Sequence, residues 1–201
     1  MKLKSNYQTF KLNQSTTNIS DEQILHLLQG EKNMEQGFRL LMLKYQERLY
    51  NHIRRMVSEH QDANDVIQNT FIKVFKNIAK FQGNAQLYTW LYRIATNETI
   101  TFLNKKKKKS TTSIDDAELD MANRLSADTY FDGEAAQAKL AAALQTLPDK
   151  QKLVFNMRYY DEMPYQAISD VLETSVGALK ASYHHAVKKI ELFINQGKEV
   201  V

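Results

Sequence analysis

The sequence predicts an all-α fold, in two small helical domains joined by a flexible acidic linker. Only two prolines and six glycines interrupt 201 residues, and strong helix formers are spread through the chain. Apolar residues recur at helical spacing, and no stretch alternates as a strand would. A content of 43% hydrophobic and 25% charged residues fits a folded, water-borne chain. No run approaches the roughly eighteen apolar residues of a membrane span, and residues 1–20 lack a signal peptide's apolar core. A cytoplasmic location without membrane insertion is therefore expected. The absence of cysteine excludes disulfides, thiol catalysis and the common structural zinc sites. No cofactor is expected.

The elements follow in order. Residues 1–20 read as a disordered tail carrying three lysines. Ser20 is placed to cap a short helix, DEQILHLLQ, that Gly30 ends. The next helix starts at Met34 and carries Phe38, Leu41, Met42, Tyr45, Leu49, Ile53 and Met56 on one stripe. In DANDVIQNTFIKVFKNIAKF, Asp62 is expected to cap the helix, and Val66, Ile67, Phe71, Val74, Phe75 and Ile78 to form its core stripe. A second stripe, Asp65, Gln68, Asn69 and Ile72, has the same spacing but mixed chemistry. It suits either a partner or solvent. After a turn at Gly83 and Asn84 comes a helix with Leu87, Trp90, Leu91, Ile94 and Ala95 toward the core. Its other side presents Arg93, Asn97, Ile100, Thr101 and Asn104 and leads into five lysines. Amides and Arg can read base edges, aromatics stack on bases, and lysines neutralise phosphates. The lysine run by itself also fits a solvated linker or a helix end.

Charge marks the domain boundaries: residues 21–109 carry +6 and residues 110–134 carry −6. The organisation is thus a tail at 1–20, a helical domain at 21–109, a linker at 110–134 and a second helical domain at 135–201. In the second domain one helix ends near Leu147, and others begin at Pro148 and Pro164. PYQAISDVLE, a short turn and VGALKASYHHAVKKI have the lengths of a helix-turn-helix, with Ile168, Val171 and Leu172 packing on Val176, Leu179, Tyr183 and Ala186. A generic helical hairpin has the same pattern.

DANDVIQNTFIKVFKNI followed by KFQGNAQLYTWLYRIATNETITFL resembles region 2 of bacterial RNA polymerase sigma factors of the extracytoplasmic-function group. The second domain resembles region 4 of the same group. The resemblance implies an alternative sigma factor that binds core polymerase and directs promoter-specific initiation, without catalysis of its own. It assigns Asp62, Asp65, Gln68, Asn69 and Ile72 to the clamp of the largest polymerase subunit. Asn69 stands where the family usually has an acid, which weakens one charge-assisted contact. Minus-ten DNA, opened to a single strand with a flipped base, falls to Phe81, Asn84, Tyr88, Thr89, Trp90, Arg93 and Asn97. Trp90 serves equally as core. Minus-thirty-five duplex falls to Thr174, Ser175, Ala178, Lys180, Ala181, His184, His185 and Lys188, with Glu173 where the family's turn usually has Gly. The linker is expected to run through the RNA exit path. The flap of the second-largest subunit and an anti-sigma factor join promoter DNA and the clamp as implied partners.

Adjacent helical residues point about 100° apart, so His184 and His185 are poorly placed to chelate one ion, and no metal is expected. Lys180, His184 and Lys188 form one stripe suited to phosphates, and imidazoles gain charge in mild acid. The alternative reading is a helix-turn-helix regulator acting without core polymerase. A helical enzyme ranks below both, because no H-E-x-x-H, phosphate-binding Gly loop or nucleophile-base pair is visible.

Overall fold

A computed structural model describes residues 19–30, 33–83, 85–110 and 135–196, and every described element is helical. The expected tail (apart from Ile19 and Ser20), the linker beyond Ser110 and Asn84 lie outside the described residues. The helices are α1 (Asp21–Gln29), α2 (Met34–Arg54), α3 (His60–Asn77), α4 (Leu87–Ser110), α5 (Ala135–Gln145), α6 (Asp149–Tyr159), α7 (Tyr165–Leu172) and α8 (Val176–Gln196), with a 3-10 turn at Ile78–Lys80. The chain packs as two compact units, which divide between Lys44 and Tyr45, inside α2.

In the first unit, Ser20 caps α1 as its sequence predicts. Its hydroxyl accepts from Gln23 N, and the Gln23 side chain accepts from Ser20 N, so two otherwise unpaired donors are satisfied. Lys44 Nζ ties the start of this helix, bonding Asp21 Oδ1 at 2.7 Å and the Ile19 carbonyl at 2.8 Å. Ile24, Leu28 and Leu41 are buried.

In the second unit, α3 packs on α4, α4 on α7, and α8 gathers α5, α6 and α7 around it. Five of the six expected core residues of α3 are buried, whereas Phe75 is 48% exposed. Ala63 and Thr70 are buried on the same helix as well. Asp62 does not cap α3. The cap lies three residues earlier, at Glu59, which puts the Asp62 carboxylate in the first turn. The lysine run is helix rather than linker: Lys105–Lys109 are the last turns of α4, where the helix dipole favours cations.

The second helical region is built on Phe155, which stacks on Tyr183 at 5.6 Å and on Tyr159 at 5.1 Å. Ala143, Leu144, Leu147, Ala186 and Ile190 close around it. Pro148 and Pro164 sit at the N-cap positions of α6 and α7, where a missing N–H costs nothing. Three residues, Glu173 to Ser175, separate α7 from α8. Ile168, Val171, Leu179 and Ala186 pack in their core as the helix-turn-helix pattern predicts, while Leu172, Val176 and Tyr183 are half-buried.

Candidate nucleic-acid interface

Three separate surfaces carry the residues singled out by sequence. On α3, Asp65, Gln68, Asn69 and Ile72 are all exposed and lie along one side, with Ile72 at 45% exposure and Phe75 one turn further on. An exposed aliphatic thus stands beside an exposed aromatic, bordered by amides and a carboxylate. Asp62 is not part of it. Its carboxylate is largely buried and accepts from Lys106 Nζ at 2.9 Å, as does Glu59. Desolvation lowers the Lys106 pKa, but the hydrogen bonds and charges of Glu59 and Asp62 together outweigh it and raise it. The last turns of α4 are thereby fastened to the first turn of α3.

The second surface is the exposed side of α4 and the turn before it. Gly83 has φ +73, the left-handed conformation that its lack of a Cβ permits. Phe81 and Trp90 meet with ring centroids 5.2 Å apart. Both are half-buried, so each ring keeps one part in contact and another open. Asn97 is exposed and Tyr88 is half-buried. Thr89 is 4% exposed, contrary to its expected place on the DNA side. The reason is that α4 buries two adjoining stripes, Leu87, Leu91 and Ala95 on one and Thr89, Tyr92, Thr96 and Thr99 on the other. At 100° per residue these span about 200° of the helix. Helical periodicity picked out only the aliphatic one.

Arg93 points from the remaining side, but it is occupied. Its Nε donates to the Asp170 carbonyl at 3.0 Å, a second guanidinium nitrogen bonds the same oxygen, and the Glu173 carboxylate lies 3.7 Å away. Both acceptors belong to the end of α7.

The third surface is α8. Ala178, Lys180, Ala181, His184, His185 and Lys188 are exposed on it, with Ser175 at its start. Ser175 Oγ accepts from Ala178 N at 3.3 Å, and Thr174 Oγ1 donates to the Leu172 carbonyl at 3.0 Å. Those bonds shape the turn, and Thr174 is half-buried as a result. Lys180 Nζ sits 5.9 Å from the Tyr165 ring centroid, which places its charge beside the first residue of α7. The His184 and His185 rings are 6.1 Å apart and tilted by 57°. Among the described residues no group of His, Cys, Asp or Glu is arranged to hold a metal ion.

Sequence reasoning missed a buried polar cluster. His52 is fully buried, with Nδ1 2.7 Å from Asp161 Oδ2 and Nε2 3.1 Å from Thr96 Oγ1. An ionised carboxylate only accepts, so Nδ1 carries the proton. Arg55 bonds the other oxygen of Asp161 and lies 4.9 Å from the Tyr160 ring centroid. Burial, and next the Asp161 charge, push the Tyr92 phenol well above the usual tyrosine range. A polar residue on the Tyr45, Leu49, His52, Met56 stripe was the visible signal. Its partner, 109 residues away, had none.

Comparison with known proteins identifies the family. Residues 41–109 match sigma-70 region 2, and residues 137–190 match sigma-70 region 4. The chain is 29% identical over 184 residues to RNA polymerase sigma-H factor of Pseudomonas aeruginosa, covering 87% of this chain and 94% of that one. It is 32% identical over 164 residues to the ECF RNA polymerase sigma factor SigW of Bacillus subtilis, covering 78% and 88%. Its fold is similar to that of the sigma factor RpoE in complex with the anti-sigma factor NepR from Bartonella quintana, with a TM-score of 0.62, 18% identity, and 82% and 98% of the two chains covered. With both regions matched in order along one chain, and with relatives that share most of its length, the chain belongs to the sigma-70 family as an alternative sigma factor of the extracytoplasmic-function group, an initiation factor rather than an enzyme.

Proposed function

We propose that the two helical domains divide the work of initiation by surface, residues 21–109 taking the polymerase clamp and minus-ten DNA, and residues 135–201 the polymerase flap and minus-thirty-five DNA. The observation that carries this reading is α3, which is buried on one side and exposes Asp65, Gln68, Asn69 and Ile72 on the other. A regulator acting on DNA alone has no use for such a face. Asp62 contributes by anchoring α4 through Lys106 rather than by touching polymerase.

On α4, Trp90 and Phe81 offer ring surface to unstacked bases, and Arg93 and Asn97 offer donors. Unstacking a base costs a few kcal/mol, and stacking on an aromatic side chain returns about 1–3 kcal/mol per base. Strand opening therefore draws on binding rather than on ATP. Tyr88 and Asn84 belong to the same reading, and Thr89 supports the helix from within. On α8, Ala178, Ala181 and His185 face the major groove, and Lys180, His184 and Lys188 face phosphates. Ser175 and Thr174 order the turn. Work on core polymerase implies a cytoplasmic location, and no described helix is long and apolar enough to cross a membrane. An anti-sigma factor is a further partner, by similarity to the complex with NepR.

Run-off transcription with core polymerase on a promoter library tests the reading, which requires defined start sites. Specific binding to duplex DNA with no initiation would refute it. Asp65→Arg with Gln68→Ala is expected to abolish core association while leaving the circular dichroism spectrum unchanged, since both side chains are exposed. Undiminished core binding by that variant would remove α3 as the docking face.

A further inference from the structure

Helix α4 runs for 24 residues, Leu87–Ser110, yet the residues assigned to minus-ten DNA on it end at Asn97. The same side of the helix continues beyond them. At 100° per residue, Trp90, Arg93, Asn97, Thr101, Asn104 and Lys108 fall within about 80° of its circumference, and Lys105 borders them. Asn97, Thr101, Asn104, Lys105 and Lys108 are all exposed.

Contacts within the lysine run fix which way the end of α4 faces. Lys106 lies about 180° around the helix from Asn97 and is bonded at 2.9 Å to both Glu59 and Asp62 at the start of α3. Lys107 pairs with Asp149 at the start of α6. These two lysines serve the fold. Glu98, the only acid between Asn97 and Lys109, pairs with Lys73 of α3. The side from Asn97 to Lys108 therefore carries amides and cations and no acid. The helix dipole accounts for lysines in the last turn, Lys107 to Lys109, but its effect falls off within that turn. Asn104 and Lys105 come before it.

Beyond α4 the chain leads, in sequence, to the domain assigned to minus-thirty-five DNA, which by its name lies upstream of the minus-ten element. The C-terminal half of α4 is thereby directed upstream, over DNA that is still paired. Asn97 to Lys108 spans about 17 Å at 1.5 Å per residue, or about five base pairs at 3.4 Å each. Lysine is a compact charge on a flexible stem, suited to phosphate rather than to the fixed geometry of a base edge. Thr101 adds no reading of bases, since its hydroxyl donates to the Asn97 carbonyl at 2.7 Å.

We propose that Lys105 and Lys108, with Asn104 beside them, form a second DNA site on α4, which grips backbone phosphates of the duplex within about five base pairs upstream of the minus-ten element and does so without regard to base sequence. It holds the paired edge against which the strands open. The proposal rests on the assignment of α4 to minus-ten DNA.

The test uses holoenzyme, assembled from core polymerase and the full-length protein, on a promoter fragment that gives a defined start in run-off transcription. Lys105→Gln with Lys108→Gln removes two charges and keeps good helix formers. Each phosphate contact contributes about 0.9 to the slope of log affinity against log salt, so the slope should flatten by about 2 in this variant. Between about 50 and 200 mM salt the parent should then lose roughly tenfold more affinity than the variant. Lys105→Arg with Lys108→Arg should keep the parent slope. Uncharged methylphosphonate linkages placed about two to five pairs upstream of the minus-ten element should weaken the parent and leave the glutamine variant unchanged. Randomising the bases of that stretch should affect neither protein. If circular dichroism shows lost helix in the double variant, Lys105→Gln alone serves and should flatten the slope by about 1. An unchanged slope, or equal weakening of both proteins by the neutral linkages, overturns the site. Weaker association with core polymerase at an unchanged DNA slope also overturns it, and gives the lysines to the polymerase instead. Promoter opening by the parent, seen as permanganate reactivity, together with an unchanged slope defeats the lysine site alone, whereas failure of the parent to open any promoter defeats the minus-ten assignment as well.

Discussion

Glu173 ends α7 with φ 52 and ψ 41, a left-handed conformation that a side chain with a Cβ adopts at a cost of about 1 kcal/mol and glycine adopts freely. Its carboxylate gains a 3.7 Å contact with Arg93, but both groups are well exposed, so the pair contributes little. Glu173→Gly is accordingly expected to raise stability by about 1 kcal/mol, seen as a higher urea midpoint with an unchanged slope. Tyr92 gives a pH prediction. Its phenol is held neutral in the fold by burial and by the Asp161 charge. Its pKa is raised on folding, so the stabilisation is complete below the unfolded-state value near 10 and is lost as pH rises beyond it. Melting temperature should fall between about pH 10 and 11, and fall less steeply in Tyr92→Phe. Equal slopes for the two proteins would show that Tyr92 is not responsible.

Among the elements, α1 and the start of α2 meet at Gly37. A Cβ there would lie 2.9 Å from the Leu28 backbone nitrogen and 3.0 Å from Leu27 Cβ. Alanine would gain about 1 kcal/mol of helix propensity, but overpacking against backbone costs about 1–3 kcal/mol, so Gly37→Ala should destabilise the protein by up to about 2 kcal/mol in chemical denaturation. The helices themselves were legible because their signals are local: Ser20 and Gly30 bracket α1, and the prolines before α6 and α7 start them as expected. Faces were legible only where one side of a helix is buried. On α3 the exposed stripe was read correctly and Phe75 was not, since periodicity alone does not say how far a neighbouring helix extends. On α4, buried over about 200°, the stripe of threonines and Tyr92 looked polar and was read as surface at Thr89.

At the scale of the whole molecule, the buried polar cluster around Asp161 holds unpartnered atoms that lower stability. Asn156→Leu removes an unpartnered buried carbonyl oxygen and keeps the number of side-chain heavy atoms. It should stabilise the protein by about 1 kcal/mol, seen as a higher urea midpoint. A midpoint no higher than the parent's would show that removing this oxygen brings no net gain at the site. What the sequence alone determined is the helical class, the order of the two DNA-binding regions and most of each exposed surface, because helix formation, capping and the helix-turn-helix pattern depend on residues within a turn or two of each other. What only the tertiary structure decided is that Thr89 and Asp62 face inward, that Arg93 is already engaged, and that His52 has a partner 109 residues away. Those outcomes depend on which helix packs on which, and a side chain's own neighbourhood in sequence contains no record of the surface it will meet.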